Sequence, residues 1–597
     1  MRARNGASRL WTPVGDGRCL REGLTVVFAF ALVSVVATWP LVRQFGDSLP
    51  SGLGDPLLNA WILAWDANRF LHGLRGIWDA PFFHPYSNTL AYSENLFGIA
   101  IFTAPIQWLT GNPLAAYNAA FLGSFVLAGS GMFLLAKHLT DSRAAALVGG
   151  VAFAFLTYRA HAIGHLQTLM YGWMPIALYG VHRYFQTGRR APLVVFAAAS
   201  LLNGLSNGYY LYFFAFAVVV VVGVELLAHV RSKPRILADL AVTLIVMLIV
   251  ISPVMIAYLD ARVEHDLIRQ RNEMVVFSAD AQFYLDAPTA TMWNGRLPGD
   301  RAGLNGLFPG FTIVSLAALG LAAAGLRARN RRWVPSFRIT AAYTAVGVFG
   351  LVFSFGPVIY FDGTVFMNSG PYDLLLDIVP GMDGLRVPLR LAILAYLSLA
   401  VLSAVGVRWL FERLSRTWSV ALCFVAVCGL VAEGYHPVPM VAFDTYEASR
   451  GVRVPFPTIE HRTARAVLRG RAPGAVLELP FYGQSVGHAD VQTIRYMHGI
   501  FEHGRPLVNG HSGYHTPHMR RLAGELYQYQ NYDIMLRELR SIGVRFILLH
   551  SDMFASSGHS RNTLNAILRQ RDQVLDVHRV EATYIIELTA AGTIPAP

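Results

Sequence analysis

Two carboxylates bracket an aromatic-rich stretch that follows the first long apolar segment of the chain. Asp55 precedes Pro56 at the start of this stretch, and Glu94 lies near its end, just before another apolar run. Either carboxylate could take a proton from a hydroxyl group, which is the work of a general base. Asp55 also fits a helix N-cap, because an Asp cap is often followed by proline at the first helical position. A cap and a base are compatible at one residue, and the alternative for Glu94 is a solvated surface carboxylate.

The residues after Pro56 predict a helix that lies on a membrane surface. Its apolar side chains recur at helical spacing on one face, and they are Leu57, Leu58, Trp61, Ile62 and Trp65. Asn59 and Asp66 lie off this face. Because Trp favours the depth of lipid headgroups, we expect the apolar face to contact the membrane.

Basic and titratable residues occur in two short segments, each predicted to lie at the outer end of a membrane span. Arg159, His161 and His165 fall within one turn, and Arg386 and Arg390 directly precede a span. Arginine binds phosphate oxygens bidentately and histidine can donate near neutral pH, so all five are candidates for holding a lipid phosphate. The alternative is that these side chains reach towards lipid headgroups without binding a specific ligand.

The other polar residues form no recognisable cofactor motif. The segment 259–303 mixes acidic and basic residues, a pattern more typical of a solvated face than of a metal cage. The three cysteines of the chain, Cys19, Cys423 and Cys428, provide neither a disulfide framework nor a zinc site. We find no HExxH, Walker, GxSxG or dinucleotide-binding motif. The cofactor stays undetermined, and a divalent metal is compatible with the chain but not indicated.

The composition predicts a polytopic membrane protein. Of the 597 residues, 54% are hydrophobic and only 14% are charged, and the mean hydropathy is +0.41. The candidate spans are 24–42, 115–136, 143–158, 168–185, 191–205, 207–228, 236–258, 304–326, 339–356, 389–408 and 418–435. The apolar segment 96–109 is too short for an easy crossing and contains Pro105, so we predict that it is re-entrant or interfacial.

The basic residues predict the orientation of the chain. With eleven spans the basic loops all fall on the side of the N-terminus, which the positive-inside rule assigns to the cytoplasm. We therefore interpret the net charge of +12 as cytoplasmic loops and not as a nucleic-acid surface. The first span is predicted to be a retained anchor, with a cleaved signal peptide as the alternative.

After Glu433 the hydrophobic runs end, and the remainder predicts a soluble α/β domain. Segments 474–481, 544–550 and 582–588 are strand-like, whereas 519–541 and 561–573 have helical spacing. The predicted parts are a cytoplasmic N-terminus (1–23), a membrane module (24–258) with its first outer loop (43–114), a region of outer loops and four further transmembrane helices (259–435), and an extracytoplasmic α/β domain (436–597).

This organisation resembles the GT-C glycosyltransferases, the superfamily of protein O-mannosyltransferases and lipid A aminoarabinose transferases. The likeness lies in a cytoplasmic start, one span, a long outer loop that opens with an acidic residue, and further spans. Three segments look more narrowly like a bacterial branch labelled YfhO-like, and they are 307–310 (LFPG), 384–388 (GLRVP) and 505–510 (RPLVNG).

The resemblance implies a mainly α, polytopic GT-C-type protein of the bacterial inner membrane. Such a protein moves a sugar from a polyprenyl-phosphate-linked donor to an extracytoplasmic glycan, lipid or protein acceptor, with inversion. The acidic residue of the first outer loop is the base in such enzymes, and Asp55 has that place here, although proline follows it where many relatives have a second acidic residue. The phosphate-binding residues have no fixed motif, so Arg159, His165, Arg386 and Arg390 are assigned by location.

Two other functions fit the same resemblance or composition. A transporter or lipid flippase is the first alternative, although it should place ionisable residues near the middle of the membrane. A non-catalytic membrane protein that binds glycan through residues 436–597 is the second.

Overall fold

The structure is a computed structural model that describes residues 17–229, 235–265, 267–297, 305–329, 334–442, 459–481, 487–554 and 556–590. Most of the predicted N-terminal segment 1–23 therefore lies outside the described residues. The helices before the C-terminal domain are α1 Gly17–Ala37, α2 Asp55–Leu71, α3 Phe97–Thr110, α4 Pro113–Thr140, α5 Arg143–Ala154, α6 Tyr158–Ala162, α7 Trp173–Thr187, α8 Ala191–Ser206, α9 Gly208–His229, α10 Arg235–His265, α11 Arg271–Val276, α12 Phe311–Arg329, α13 Val334–Ser354, α14 Tyr372–Ile378, α15 Ala392–Phe411 and α16 Arg416–Gly434.

By length and composition, eight helices in the described part of the chain could cross a membrane. They are Leu20–Ala37, Pro113–Thr140, Arg143–Ala162, Gly208–His229, Arg235–His265, Phe337–Ser354, Pro388–Phe411 and Arg416–Gly434. Shorter apolar helices cover Phe97–Thr110, Ala191–Ser206 and Phe311–Leu326. Each of the eleven predicted spans overlaps a helix, so the multi-pass architecture is confirmed, while the number of crossings stays a prediction.

Helix α3 has the length expected of a segment that does not cross. Its 14 residues extend about 21 Å, against a hydrocarbon core of about 30 Å. The centre of the bundle is α15, which packs against α5, α12 and α13. Gly320 and Gly406 permit the closest approach, because a Cβ on either residue would collide with a backbone carbonyl of the other helix.

Helix α2 differs from its prediction in two respects. The N-cap residue is Gly54, and no side chain caps the helix, so the Asp55 carboxylate does not serve as the cap. The tryptophan face packs on protein instead of lipid: Trp61 is fully buried and its Nε1 donates to the carbonyl of Met497, 2.7 Å away, while Trp65 Nε1 donates to Ile77 O. The prediction that this face contacts the membrane is therefore wrong, because apolar side chains at helical spacing do not reveal whether lipid or protein covers them.

The first loop and the C-terminal region form one layer over one end of the bundle, which we call the loop side. Strand β1 (Ser48–Pro50) pairs with β4 (Met440–Ala442), and a separate hairpin joins β2 (Ile359–Phe361) to β3 (Thr364–Met367). Backbone bonds from His84 N to Leu507 O and from Leu507 N to Pro81 O hold the first loop to the C-terminal domain. Residues far apart in the chain therefore share one surface.

The C-terminal domain has a four-stranded sheet, of order β5-β6-β8-β7, flanked by helices. Its elements are α17 Ile459–Val467, β5 Ala475–Leu479, α18 Gly487–His503, α19 Pro517–Ala523, a π-helical turn Gly524–Tyr529, α20 Tyr532–Ser541, β6 Val544–His550, α21 Ser557–Leu568, β7 Val574–Val580 and β8 Thr583–Leu588. Strands β5 and β6 are parallel and the other pairs antiparallel.

Three strands of this sheet, β5, β6 and β8, match the predicted ones. Strand β7 was missed because its polar, largely exposed sequence lacks a continuous apolar face. The predicted helix 519–541 is divided into α19 and α20, because Gln530 adopts a positive φ of 51°.

Candidate functional site

A cavity of about 720 Å³ lies on the loop side, between the helix ends and the covering layer. Its wall comes from the start of α2, segment 91–95, the first turn of α9, the last turns of α10, segment 381–390 and segment 511–515 of the C-terminal domain. Five of the seven predicted site residues line it, and they are Asp55, Glu94, His165, Arg386 and Arg390. This volume is typical of small-molecule sites.

Asp55 and His165 meet at the cavity wall. The Nε2 atom of His165 lies 3.0 Å from Oδ2 of Asp55, and their side chains are 40% and 45% exposed, so both still face the cavity. Asp55 can turn towards His165 because Gly54 takes the N-cap position of α2. His165 lies just after α6. Its carbonyl accepts hydrogen bonds from the backbone N–H and the hydroxyl of Thr168, which hold this turn of the backbone.

The surroundings of Asp55 keep its carboxylate ionised. Burial raises the pKa of Asp55, but the hydrogen bond from His165 and the charges of His165, His511 and Arg390 outweigh it and lower the pKa to about 2. The group is therefore a carboxylate at neutral pH. A carboxylate in a cavity, oriented by an imidazole, can accept a hydrogen bond from a bound hydroxyl group.

Two predicted phosphate-binding arginines reach the cavity. Arg390 is 9% exposed and its guanidinium stacks 4.3 Å from the centre of the Tyr209 ring, with no ion pair to any residue that the structure describes. Arg386 lies over the ring of Phe277, and its Nη1 is 3.6 Å from the Glu273 carboxylate. Arg390 therefore keeps its charge available to an anionic ligand.

Arg159 and His161 are not brought to the cavity. Arg159 is 1% exposed, donates to Ser124 Oγ at 3.1 Å and lies 3.6 Å from the centre of the Phe125 ring. His161 packs beside the ring of Tyr158. Helix α6 ends at Ala162, and of these three residues only His165, which lies beyond its end, lines the cavity.

Glu94 lines the cavity, but its carboxylate is already used. Oε2 accepts the backbone N–H of Gly208 at 2.7 Å, at the first residue of α9. Burial raises the pKa of Glu94 despite the opposing effect of this N–H and of Arg390. Glu433 caps α12 in the same way, through the backbone N–H groups of Phe311 and Thr312. The geometry of Glu94 is that of a helix cap.

Asp66 is buried away from the cavity. It has no hydrogen-bond partner among the described residues, and burial raises the pKa of its carboxyl well above the usual range. Nor does the part of the chain that the structure describes contain three or more His, Cys, Asp or Glu side chains arranged to hold a metal ion.

The C-terminal domain contributes a wall that sequence reasoning missed. Arg269 donates to the carbonyl of Gly513 at 2.6 Å and stacks 3.6 Å from the centre of the Tyr514 ring. His511 and His515 lie on either side of these residues and line the cavity. The available signal was the dense HSGYH sequence directly after the segment 505–510.

Close backbone approach at glycine brings this wall into place. A Cβ on Gly513 would lie 2.7 Å from the carbonyl oxygen of Tyr92, and one on Gly510 would collide with the ring of Phe83. Asn509 fixes the preceding turn through two hydrogen bonds to the backbone of Glu478. Segment 511–515 is thus held by both the first loop and the C-terminal sheet.

No family model matches the sequence, and no curated protein matches it. Among solved structures the chain is similar to the archaeal oligosaccharyltransferase AglB from Archaeoglobus fulgidus, in complex with an inhibitory peptide and a dolichol-phosphate. The match has 12% identity, covers 97% of this chain and 75% of that chain, and has a TM-score of 0.42.

The chain is also similar to ArnT from Cupriavidus metallidurans. The apo structure gives 12% identity, coverage of 96% of this chain and 98% of that chain, and a TM-score of 0.46. For the structure of ArnT bound to undecaprenyl phosphate, the match has 12% identity, covers 98% of this chain and 100% of that chain, and has a TM-score of 0.44. At 12% identity and TM-scores below 0.5, this likeness does not indicate which reaction the chain catalyses.

Proposed function

We propose that this protein is a membrane glycosyltransferase that moves a sugar from a polyprenyl-phosphate-linked donor to an acceptor hydroxyl, with inversion at the anomeric carbon. The observation that carries the proposal is the presence in one cavity of an ionised carboxylate, Asp55, and a guanidinium, Arg390, that has no ion pair within the described residues. Inverting transfer from a phosphate uses both groups, because the carboxylate can take the proton of the acceptor hydroxyl and the guanidinium can stabilise the charge on the leaving phosphate.

The cavity wall suits a donor with a charged head and an isoprenoid tail. Arg390 and Arg386 both line the cavity and offer the phosphate two positive charges. Helix α10 contributes apolar side chains to the same wall, and these are Ile251, Val254, Met255 and Leu259. Since α10 also exposes apolar residues along most of its length, a lipid tail can enter beside it from the bilayer.

In the proposed step the acceptor oxygen forms a bond to the anomeric carbon while the bond from that carbon to the phosphate oxygen breaks. The acceptor proton passes to Asp55, and the electron pair leaves with the polyprenyl phosphate, whose added charge is stabilised by Arg390 and Arg386. A single displacement of this kind inverts the configuration.

A carboxyl with a pKa of about 2 is a weak base towards a free hydroxyl group. The acceptor oxygen becomes positively charged as it attacks, however, and its proton then becomes strongly acidic. We therefore expect Asp55 to orient the hydroxyl first and to take the proton late in the step.

His165 is a second candidate for the proton acceptor. Its Nε2 is occupied by Asp55, which would orient the ring and stabilise a positive charge on it, while the ring also faces the cavity. In this arrangement Asp55 positions His165 and does not itself receive the proton. Substituting each residue separately distinguishes the two, as described in the Discussion.

A lipid transporter is the second candidate function, and one observation favours it. His182 contacts Glu225 at 2.8 Å and the hydroxyl of Tyr343 at 3.0 Å, joining α7, α9 and α13 by a buried polar cluster. Ionisable groups inside a helix bundle often mark a translocation path. The glycosyltransferase is preferred because the cavity brings together the groups that the reaction needs.

The test uses purified full-length protein in proteoliposomes with undecaprenyl-phosphate sugars labelled in the sugar, supplemented with a total envelope extract as the source of acceptors. We expect label to leave the donor lipid and appear in a new product, with release of undecaprenyl phosphate. If the label stays on undecaprenyl phosphate but moves between the leaflets, the protein is a transporter. If neither happens with any donor, the protein is not a catalyst of either kind.

A further inference from the structure

The hairpin of β2 and β3 and the outward side of α14 expose an unusual amount of apolar surface. Phe366 is 74% exposed and Phe361 50%, and further exposed apolar side chains are Val365, Met367, Leu374 and Ile378. Between residues 355 and 372 the only charged side chain is Asp362. Soluble surfaces are normally rich in charge and rarely expose a contiguous apolar patch of this kind, so something covers it.

The patch has a defined shape, because polar contacts hold the hairpin from the opposite direction. The Asp280 carboxylate accepts the backbone N–H groups of Asp362 and Gly363 at the turn, at 2.9 and 2.7 Å. Arg271 donates to the Asp373 carboxylate and to the carbonyls of Pro357 and Asn368 at the base. The strands are therefore fixed, and their exposure does not come from a loose loop.

The hairpin presents two exposed aromatic rings within one short strand pairing. Phe361 pairs with Thr364 beside the turn, and Ile359 pairs with Met367. The register shifts between Ile359 and Tyr360, which leaves Phe366 as the extra, unpaired residue between Val365 and Met367. The rings of Phe361 and Phe366 are both exposed and therefore belong to the apolar patch.

The position of the hairpin indicates what covers this patch. Helix α13, a candidate membrane span, ends at Ser354, and β2 begins five residues later at Ile359. Five residues reach at most about 18 Å, and a backbone bond from Ala279 N to Ser354 O and another from Gly370 N to Pro357 O keep this connection folded close to the helix end. The patch therefore lies close to the end of α13, a candidate membrane span whose Val348 side chain is exposed.

We infer that the β2–β3 hairpin and the outward side of α14 are immersed in the interfacial layer of the bilayer on the loop side, with lipid as their partner. This layer accepts apolar and aromatic side chains while leaving polar backbone and turn residues hydrated. The inference is independent of the proposed glycosyl transfer, since it rests on the exposed surface and on the adjacent span.

The same hairpin is linked to the cavity through α11. Arg271 holds the base of the hairpin, and Glu273, two residues further on, contacts both Arg269 and Arg386. An anchor in the bilayer would thus set the height of the wall that carries Arg386 relative to the lipid. This arrangement gives the hairpin a role in positioning the cavity at the membrane surface.

The test measures where the hairpin lies by spin labelling. In a background with Cys19→Ser, Cys423→Ala and Cys428→Ala, full-length protein carrying Phe366→Cys is labelled with a nitroxide and reconstituted in nanodiscs. Collision with oxygen, which partitions into lipid, is compared with collision with a water-soluble nickel complex. Matched labels at Val246→Cys in α10 and at Asp572→Cys in the C-terminal domain, both exposed, give the lipid and water references.

We expect the ratio of oxygen to nickel collisions at position 366 to be several-fold higher than at position 572 and to approach that at position 246. A ratio equal to that at position 572 would place the hairpin in water and overturn the inference. Protection from both reagents would show that protein covers the patch and would overturn it equally. Phe361→Cys, in the same hairpin, provides an independent reading if the first variant is not monodisperse.

Discussion

The imidazole of His165 lies 3.0 Å from the carboxylate of Asp55, across the boundary between the first loop and the helix bundle. This contact orients Asp55 towards the cavity and contributes to the low pKa of its carboxyl, about 2. A carboxylate that serves only as a helix cap would instead turn back to its own helix. The pair is therefore the feature from which the chemistry of the cavity is best tested.

We predict that Asp55→Asn lowers turnover by about a hundred-fold or more, while donor affinity changes little, because the variant keeps the size of the side chain and loses its charge. Helix α2 should persist, since its N-cap is Gly54. Turnover and donor binding are measured with labelled donor, and Asp576→Asn, on the exposed strand β7, is the matched control. Wild-type turnover in Asp55→Asn would remove Asp55 from the chemical step.

A parallel measurement with His165→Gln separates the two candidate proton acceptors. If Asp55 takes the proton, loss of His165 weakens its orientation and turnover falls less than in Asp55→Asn. If His165 takes it, the His165 variant is the more damaged of the two.

Donor affinity should depend on Arg390 more than on Arg386. Arg390→Ala removes a charge-assisted contact worth about 1.5–3 kcal/mol, so the Kd for the donor should rise by at least about ten-fold. Arg386 is already shared with Glu273, and its loss should have a smaller effect. Binding to purified variants in nanodiscs gives the comparison, with Arg413→Ala, whose side chain stacks on Trp409 outside the cavity, as the control. Equal affinity in wild type and Arg390→Ala would mean that Arg390 does not hold the phosphate.

Arg159→Met should leave the donor Kd within about two-fold of wild type, because Arg159 packs between aromatic rings and does not reach the cavity. Any effect should appear in the Tm instead. Weaker donor binding with an unchanged Tm would show that Arg159 contacts the donor after all.

Glu94 should behave as a helix cap. Glu94→Ala deprives the Gly208 N–H of its acceptor and should lower the free energy of unfolding by about 0.5–2 kcal/mol, whereas Glu94→Gln keeps an acceptor oxygen and should cost less. Turnover per folded molecule should stay near wild type in Glu94→Gln. A hundred-fold loss of turnover with normal stability in that variant would make Glu94 the base.

Docking of the C-terminal domain should weaken as the pH falls from about 6.5 to about 4. His498 contacts the carbonyl of Leu57 in α2, and burial lowers the pKa of His498 to about 4 although this contact opposes the shift. The undocked or unfolded state therefore binds a proton at higher pH than the folded state, and stability is lost as pH falls through this window.

The Tm of full-length protein, followed from pH 7 to pH 4, measures this effect. His498→Gln can still donate to Leu57 O but cannot titrate, so its Tm should depend less steeply on pH. His578→Gln, on the exposed strand β7, should leave the slope unchanged. Because burial also lowers the pKa of His436, His503 and His550 to about 4, part of the slope should persist. An identical slope in wild type and His498→Gln would contradict the assignment.

The sequence alone was sufficient for the elements whose signal is local. Long apolar runs predicted the membrane helices, and alternating apolar residues predicted β5, β6 and β8, because hydrophobic length and periodicity are properties of consecutive residues. The acidic start of the first loop also indicated Asp55 as the residue to test. The same local pattern could not say whether Trp61 would face lipid or protein, since either environment removes its ring from water.

Only the tertiary structure decided which candidates share a cavity. Arg159 lies in α6 and Arg390 lies just before α15, yet Arg159 is turned into the protein interior while Arg390 lines the cavity together with Asp55. The Asp55–His165 contact and the wall at 511–515 join segments that are distant in the chain, and such contacts depend on how helices and loops pack, not on any spacing along the sequence. The physical reason is that packing selects partners by shape and burial of whole elements, and this information is spread over the entire chain.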